Sequence, residues 1–106
     1  MADEGHLRIH LLEAHITHKT QTFGKMDPYV KMQSREQEWK SPICKNGGKE
    51  PKWEMAHWDC QVHYLGDDLE FHVWDDEIGR DNVIGSGKTK LSALAIHGGF
   101  DEWFEI

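Results

Sequence analysis

Two acidic segments carry the chemistry this sequence can do. One ends at Asp27, in Gly24-Lys25-Met26-Asp27-Pro28-Tyr29-Val30. In the other, Asp67, Asp68, Glu70, Asp75, Asp76, Glu77 and Asp81 fall within fifteen residues. Pro28 fixes its own φ and biases Asp27 toward extended backbone. The β-branched and aromatic run Tyr29-Val30-Lys31-Met32 then starts a strand, while Gly24 lets the loop turn back on itself. Asp27 therefore stands where a loop enters a sheet, a place where functional groups are often held. On its own segment it reads equally well as a turn carboxylate capping its loop backbone. Carboxylates converging at loop tips repel one another unless a cation joins them. Hard oxygen ligands drawn from separate loops suit the flexible shell of Ca2+ better than the strict octahedron of Mg2+. The competing reading is a solvated acidic rim that keeps the protein soluble.

The elements that would position these acids are short and extended. Leu7, Ile9 and Leu11 alternate with His6, Arg8, His10 and Leu12, so the period is two and the segment is a half-buried strand. A long loop runs from His15 to Met26, and Tyr29 to Ser34 is the second strand. After the connection Arg35-Glu36-Gln37, Trp39 to Cys44 resumes an extended run. Lys45 to Pro51 is turn material. Trp58, Cys60, Val62 and Tyr64 alternate cleanly, Leu65 to Asp68 is a tight turn, and Leu69, Phe71 and Val73 oppose Glu70, His72 and Trp74. A polar loop from Asp75 to Asn82 leads to Val83–Leu91, Ser92 to Gly99 has room for one helical turn, and Trp103 to Ile106 is a last extended piece. Six or seven short strands without a helix-length periodic segment predict an all-β fold, an antiparallel β-sandwich. Trp53, Trp74 and Tyr29 are read as its core. If successive strands run antiparallel, every second loop emerges at the same end. The loops holding Asp27, Gly47-Gly48 and Asp75–Asn82 should meet there, with Arg35–Gln37 and Gly66–Asp68 at the other end.

Composition narrows the class. A chain of 106 residues is expected to be one domain, residues 1–106, and 38% hydrophobic content with five Trp argues against disorder. No apolar run approaches the ~18 residues of a membrane span. A net charge of −7 argues against nucleic acid as a partner. Cys44 and Cys60 make no disulfide framework and suit a reducing cytosol. Enzymatic motifs are missing. Gly87-Lys88-Thr89 is not a P-loop, because Asn82 stands where its first glycine belongs. The Asp75 loop has neither the glycine position nor the flanking helices of an EF-hand, and no Gly-x-Ser-x-Gly occurs. His15 and His18, three apart, have no evident third and fourth partner for zinc. The chain reads as a binding module rather than an enzyme.

The strand Leu7–Leu11 with Gly24–Lys31, Pro51-Lys52-Trp53-Glu54, Val73-Trp74-Asp75 and Val83-Ile84-Gly85 resembles the C2 domain over nearly the whole chain. It is most similar to small stand-alone members of the elicitor-responsive kind, which implies the circularly permuted, type II strand order. That order places one more strand after Ile106. The resemblance implies Ca2+-dependent docking on phospholipid, with aspartates of the first and third loops as ligands. Asp27 and Asp75 match outright. Glu77 and Asn82 stand where aspartates are usual, Asp81 lies beside Asn82, and Gln21 occupies the first-loop aspartate position. One or two weakly held Ca2+ are implied. Phe23 and Ile78 are the apolar tips able to enter a lipid interface, while Lys45, Lys49, Lys52 and Arg80 are the basic residues facing anionic headgroups. The location implied is cytoplasmic, with reversible peripheral attachment and a role in signalling. The alternative is a Ca2+-independent adaptor that binds a protein partner, or a second copy, through the sandwich face or the sheet edge left open.

Overall fold

The computed structural model describes residues 5–17, 24–94 and 103–106. Within them run β1 (Gly5–Glu13), β2 (Pro28–Ser34), β3 (Gln37–Lys40), β4 (Lys52–Val62), β5 (Asp68–Asp75), β6 (Asn82–Lys90) and a helical turn, α1 (Leu91–Leu94). The strands form two sheets, β1–β4 and β3–β2–β5–β6, with every neighbouring pair antiparallel. The predicted antiparallel β-sandwich is the observed architecture.

The core fills the space between the sheets. Val30, Met32, Leu69, Val73 and Ile84 belong to one side of it, and Trp53, Ala56, Trp58, Cys60 and Val62 to the other. Leu7, Ile9 and Leu11 of β1 pack against it half-buried. Because side chains alternate along a strand, a slip of one residue would turn each of these sets into solvent. A fully buried Val or Leu is worth roughly 1.5–3 kcal/mol, so the apolar pattern pins the register.

Three elements differ from the sequence expectation. β4 begins at Lys52, well before Trp58. Met55 has φ 55° and the β1 register shifts between Leu11 and Glu13, so Glu54 and Met55 both face outward and Trp53 falls off the two-residue period. β3 covers Gln37–Lys40 rather than the run from Trp39 to Cys44. The Ser41 amide donates to the Val30 carbonyl at 2.8 Å and its Oγ accepts the Val30 N–H at 2.9 Å. Pro42 then has no N–H with which to continue the ladder. Residues 103–106 carry no strand pairing. They lie against the β5–β6 layer, with the Phe104 ring 5.7 Å from Phe71. A Cβ on Gly87 would come within 2.6 Å of the Glu105 carbonyl oxygen, so this approach needs glycine. The expected helical turn is present at Leu91–Leu94, and the rest of its predicted span lies outside the described residues.

The loop-end expectation holds. The Gly48 amide donates to the Met26 carbonyl at 3.0 Å, the Ile16 amide to Lys49 at 2.7 Å and the Asp76 amide to Asp27 at 3.0 Å. First, third and fifth connections therefore meet. At the other end Arg35 pairs with Asp67, and Gln37 exchanges hydrogen bonds with the Gln61 backbone at 2.7 and 2.8 Å.

Candidate functional site

Asp27 and Asp75 sit at the junction of the three meeting loops. Pro28 opens β2 directly opposite Asp75 on β5, which brings the two acidic segments into register. The Asp27 N–H donates to Asp75 Oδ1 at 2.8 Å, and Asp27 Oδ1 accepts the Asn46 N–H at 2.7 Å. Asp75 has no exposed surface. A buried carboxylate must be hydrogen-bonded to remain there, and the Asp27 amide supplies one such bond. Lys45 is a basic group close to this junction. Its Nζ lies 4.0 Å from Asp27 and equally far from Asp76.

The loop between β5 and β6 closes on itself. Glu77 donates its N–H to Asp81 Oδ1 at 3.2 Å and accepts a short hydrogen bond from Asn82 Nδ2. Asp81 also accepts a short hydrogen bond from the Tyr29 hydroxyl. That hydroxyl and the Glu77 amide hold the Asp81 carboxyl below its usual range. Burial first, and the adjacent Asp81 second, push the Tyr29 phenol well above its ordinary value. Gly79 takes φ 93° at the turn, and Ile78 beside it is fully exposed. Arg80, Lys45 and Lys49 are exposed at the same end. Gln21 and Phe23 lie outside the described residues.

Among the described residues, no group of three or more His, Cys, Asp or Glu side chains converges as a ready-made metal cage. The donors nevertheless fit a hard cation in kind. Asp27, Asp75, Asp76, Glu77, Asp81 and Asn82 all offer oxygen, on loops able to adjust.

Trp74 corrects the sequence reading. It is half-buried on the outer face of the four-stranded sheet, because Val73 before it points into the core. Tyr29, paired with it across β2 and β5, is buried on that outer face beneath Asp81 and Lys40. Lys40 Nζ stands 4.4 Å from the Tyr29 ring centre and Lys31 Nζ 5.3 Å from that of Trp74, within cation–π range. Tyr29, Lys31, Trp74, Glu77, Gly79, Arg80 and Asp81 line an open groove running down from the loops. The Trp74 indole N–H is buried there without a protein partner. Sequence reasoning passed over Lys31 and Lys40, although the two-residue alternation from Val30 and Met32 places Lys31 outward. Among the described residues, no helix is long and apolar enough to cross a membrane.

Comparison with known proteins adds the lineage. A family model described as the C2 domain matches residues 5–106. Human extended synaptotagmin-1 is 29% identical over 106 residues, which cover 94% of this chain and 10% of that protein. The chain thus spans about a tenth of the length of the curated relatives it matches. The C2A and C2B domains of extended synaptotagmin 2, solved calcium bound, superpose with a TM-score of 0.82 at 30% identity, over 94% of this chain and 39% of that one. A C2 domain-containing protein from a putative elicitor-responsive gene gives a TM-score of 0.70 at 26% identity, over 90% of this chain and 70% of that one.

Proposed function

The chain belongs to the C2 domain family, and from that premise we propose that it attaches reversibly to anionic phospholipid through its loop end, with Ca2+ as the switch. The observation that carries this reading is the meeting of Asp27 and Asp75, distant in sequence and joined at 2.8 Å. The calcium-bound neighbour at 30% identity supports it. Asp27, Asp75 and Glu77, with Asp81, Asn82 and Gln21, are the oxygen donors for one or two ions. The neutral Gln21 and Asn82 make the site a weak one, since affinity follows ligand charge. Bound there, Ca2+ would supply positive charge shared between carboxylates and lipid phosphate.

The chain's own residues do the remainder. Without the ion, the carboxylates keep this end negative and hold it off an anionic leaflet. Ile78 and Phe23 enter the interface, each contributing roughly 1.5–3 kcal/mol if fully buried. Lys45, Lys49 and Arg80 face headgroups at about 1 kcal/mol each, and Lys31 and Lys40 extend that basic character along the groove. The module is cytoplasmic and peripheral in this reading, and it binds rather than catalyses.

Sedimentation with phosphatidylserine-containing vesicles tests it. The protein pellets with Ca2+ and returns to the supernatant with chelator. A second reading is favoured by Lys45, whose ammonium already stands beside Asp27 and Asp76. In that reading the end is neutralised from within, and the protein is a Ca2+-independent adaptor. Binding to a protein partner that ignores chelator, with vesicles left unbound, would select it.

A further inference from the structure

We propose that His10 of β1 and His57 of β4 form a second, softer cation site, for Zn2+ or Cu2+, on the outer face of the two-stranded sheet. The two residues are direct cross-strand partners. Both are exposed, and their imidazole ring centres lie 5.7 Å apart at an interplanar angle of 37°. An ion bound about 2.1 Å from one nitrogen of each ring sets the ring centres roughly 5 to 6 Å apart. The pair therefore reaches chelating separation through side-chain rotation alone. The sheet holds the two backbones in register, so little order is lost when an ion arrives.

The surroundings limit the site to these two ligands. Beside the pair, Arg8 Nε donates to Asp59 Oδ1 at 2.7 Å and Arg8 Nη2 to Oδ2 at 3.3 Å, which commits the adjacent carboxylate. No third ligating side chain joins the pair among the described residues. Imidazole suits Zn2+ and Cu2+, whereas Ca2+ takes oxygen, so this face and the loop end sort different ions. Two protein ligands leave coordination positions for water, which makes the bound ion exchangeable and the fold independent of it.

Calorimetry with Zn2+ alone, and imidazole proton spectra with substoichiometric Cu2+, test the proposal on the full chain. A saturable isotherm is expected, with Cu2+ broadening the signals of His10 and His57 ahead of the other histidines. His10→Ala and His57→Ala should each abolish the isotherm while melting like the parent, because both side chains are exposed. His63→Ala, beyond the end of β4, and Asp75→Asn should each retain it. Zn2+ binding that survives either pair substitution, or broadening spread evenly over the histidines, overturns the proposal. The outcome is independent of whether the loop end binds Ca2+.

Discussion

The two ends of this sandwich treat their acids in opposite ways. At the end holding the β2–β3 and β4–β5 turns, the two aspartates each have a cation: Arg35 pairs with Asp67, and Lys90 Nζ lies 2.9 Å from Asp68. At the other end the partners of Asp27, Asp75 and Asp81 include backbone amides and a phenol, and one ammonium at 4.0 Å is shared between Asp27 and Asp76. A single acidic stretch in the sequence is thus two populations, separated by the length of β5. One is neutralised within the molecule. The other keeps a surplus of negative oxygen at a point where three loops can adjust, which is the arrangement that a cation from outside would complete.

The sharpest way to break the comparison is to remove charge from the underserved end. If the proposed site takes Ca2+, the ion should stabilise the parent by about 2.7 kcal/mol at a hundredfold excess over Kd, and Asp75→Asn should eliminate that shift. A melting shift that stays intact would mean another residue leads the site. Tyr29→Phe comes next, because it strips Asp81 of a charge-assisted hydrogen bond from a buried donor. The expected result is a lower melting temperature and an Asp81 carboxyl that titrates closer to its ordinary range, read by carbon NMR. Lys45→Gln is smaller and opposite in sign. Exposed pairs of this kind are worth about 0.2–1 kcal/mol, so Ca2+ binding should tighten by no more than roughly fivefold in calorimetry. At the neutralised end, Arg35→Ala should leave Ca2+ affinity unchanged, the smallest effect of the four on the ion.

The dependence on pH follows from the same groups. Arg8, Lys90 and Tyr29 hold Asp59, Asp68 and Asp81 respectively below the usual carboxylate range. Their contribution is present above the unfolded-state pKa of about 4 and is lost as pH falls through the lower folded values. The Tyr29 phenol is raised, so its contribution is present below about pH 10 and is lost as pH climbs toward the folded value. Thermal melts across pH should show both flanks. In Tyr29→Phe the alkaline flank should flatten.

Much of this was legible in the residues. The alternation of Leu7, Ile9 and Leu11, and of Trp58, Cys60 and Val62, gave the strands and their buried faces. Counting antiparallel turns places Asp27 and Asp75 at one end from the sequence alone. The size of Trp74 points to core, while its position after Val73 requires the outer face. The outward pair Glu54 and Met55 hides the true start of β4, although Trp53 reads as core and is buried there.

What the sequence determined by itself was local: the two-residue period, the proline that fixes the mouth of β2, and the number of reversals between the acidic segments. Tertiary structure decided the partners. That Asp75 accepts the Asp27 amide, that Lys45 stands between Asp27 and Asp76, and that His10 faces His57 all depend on register between strands far apart in the chain. Alternation constrains which face a side chain takes, but only the packed sheets fix which distant residue lies opposite it.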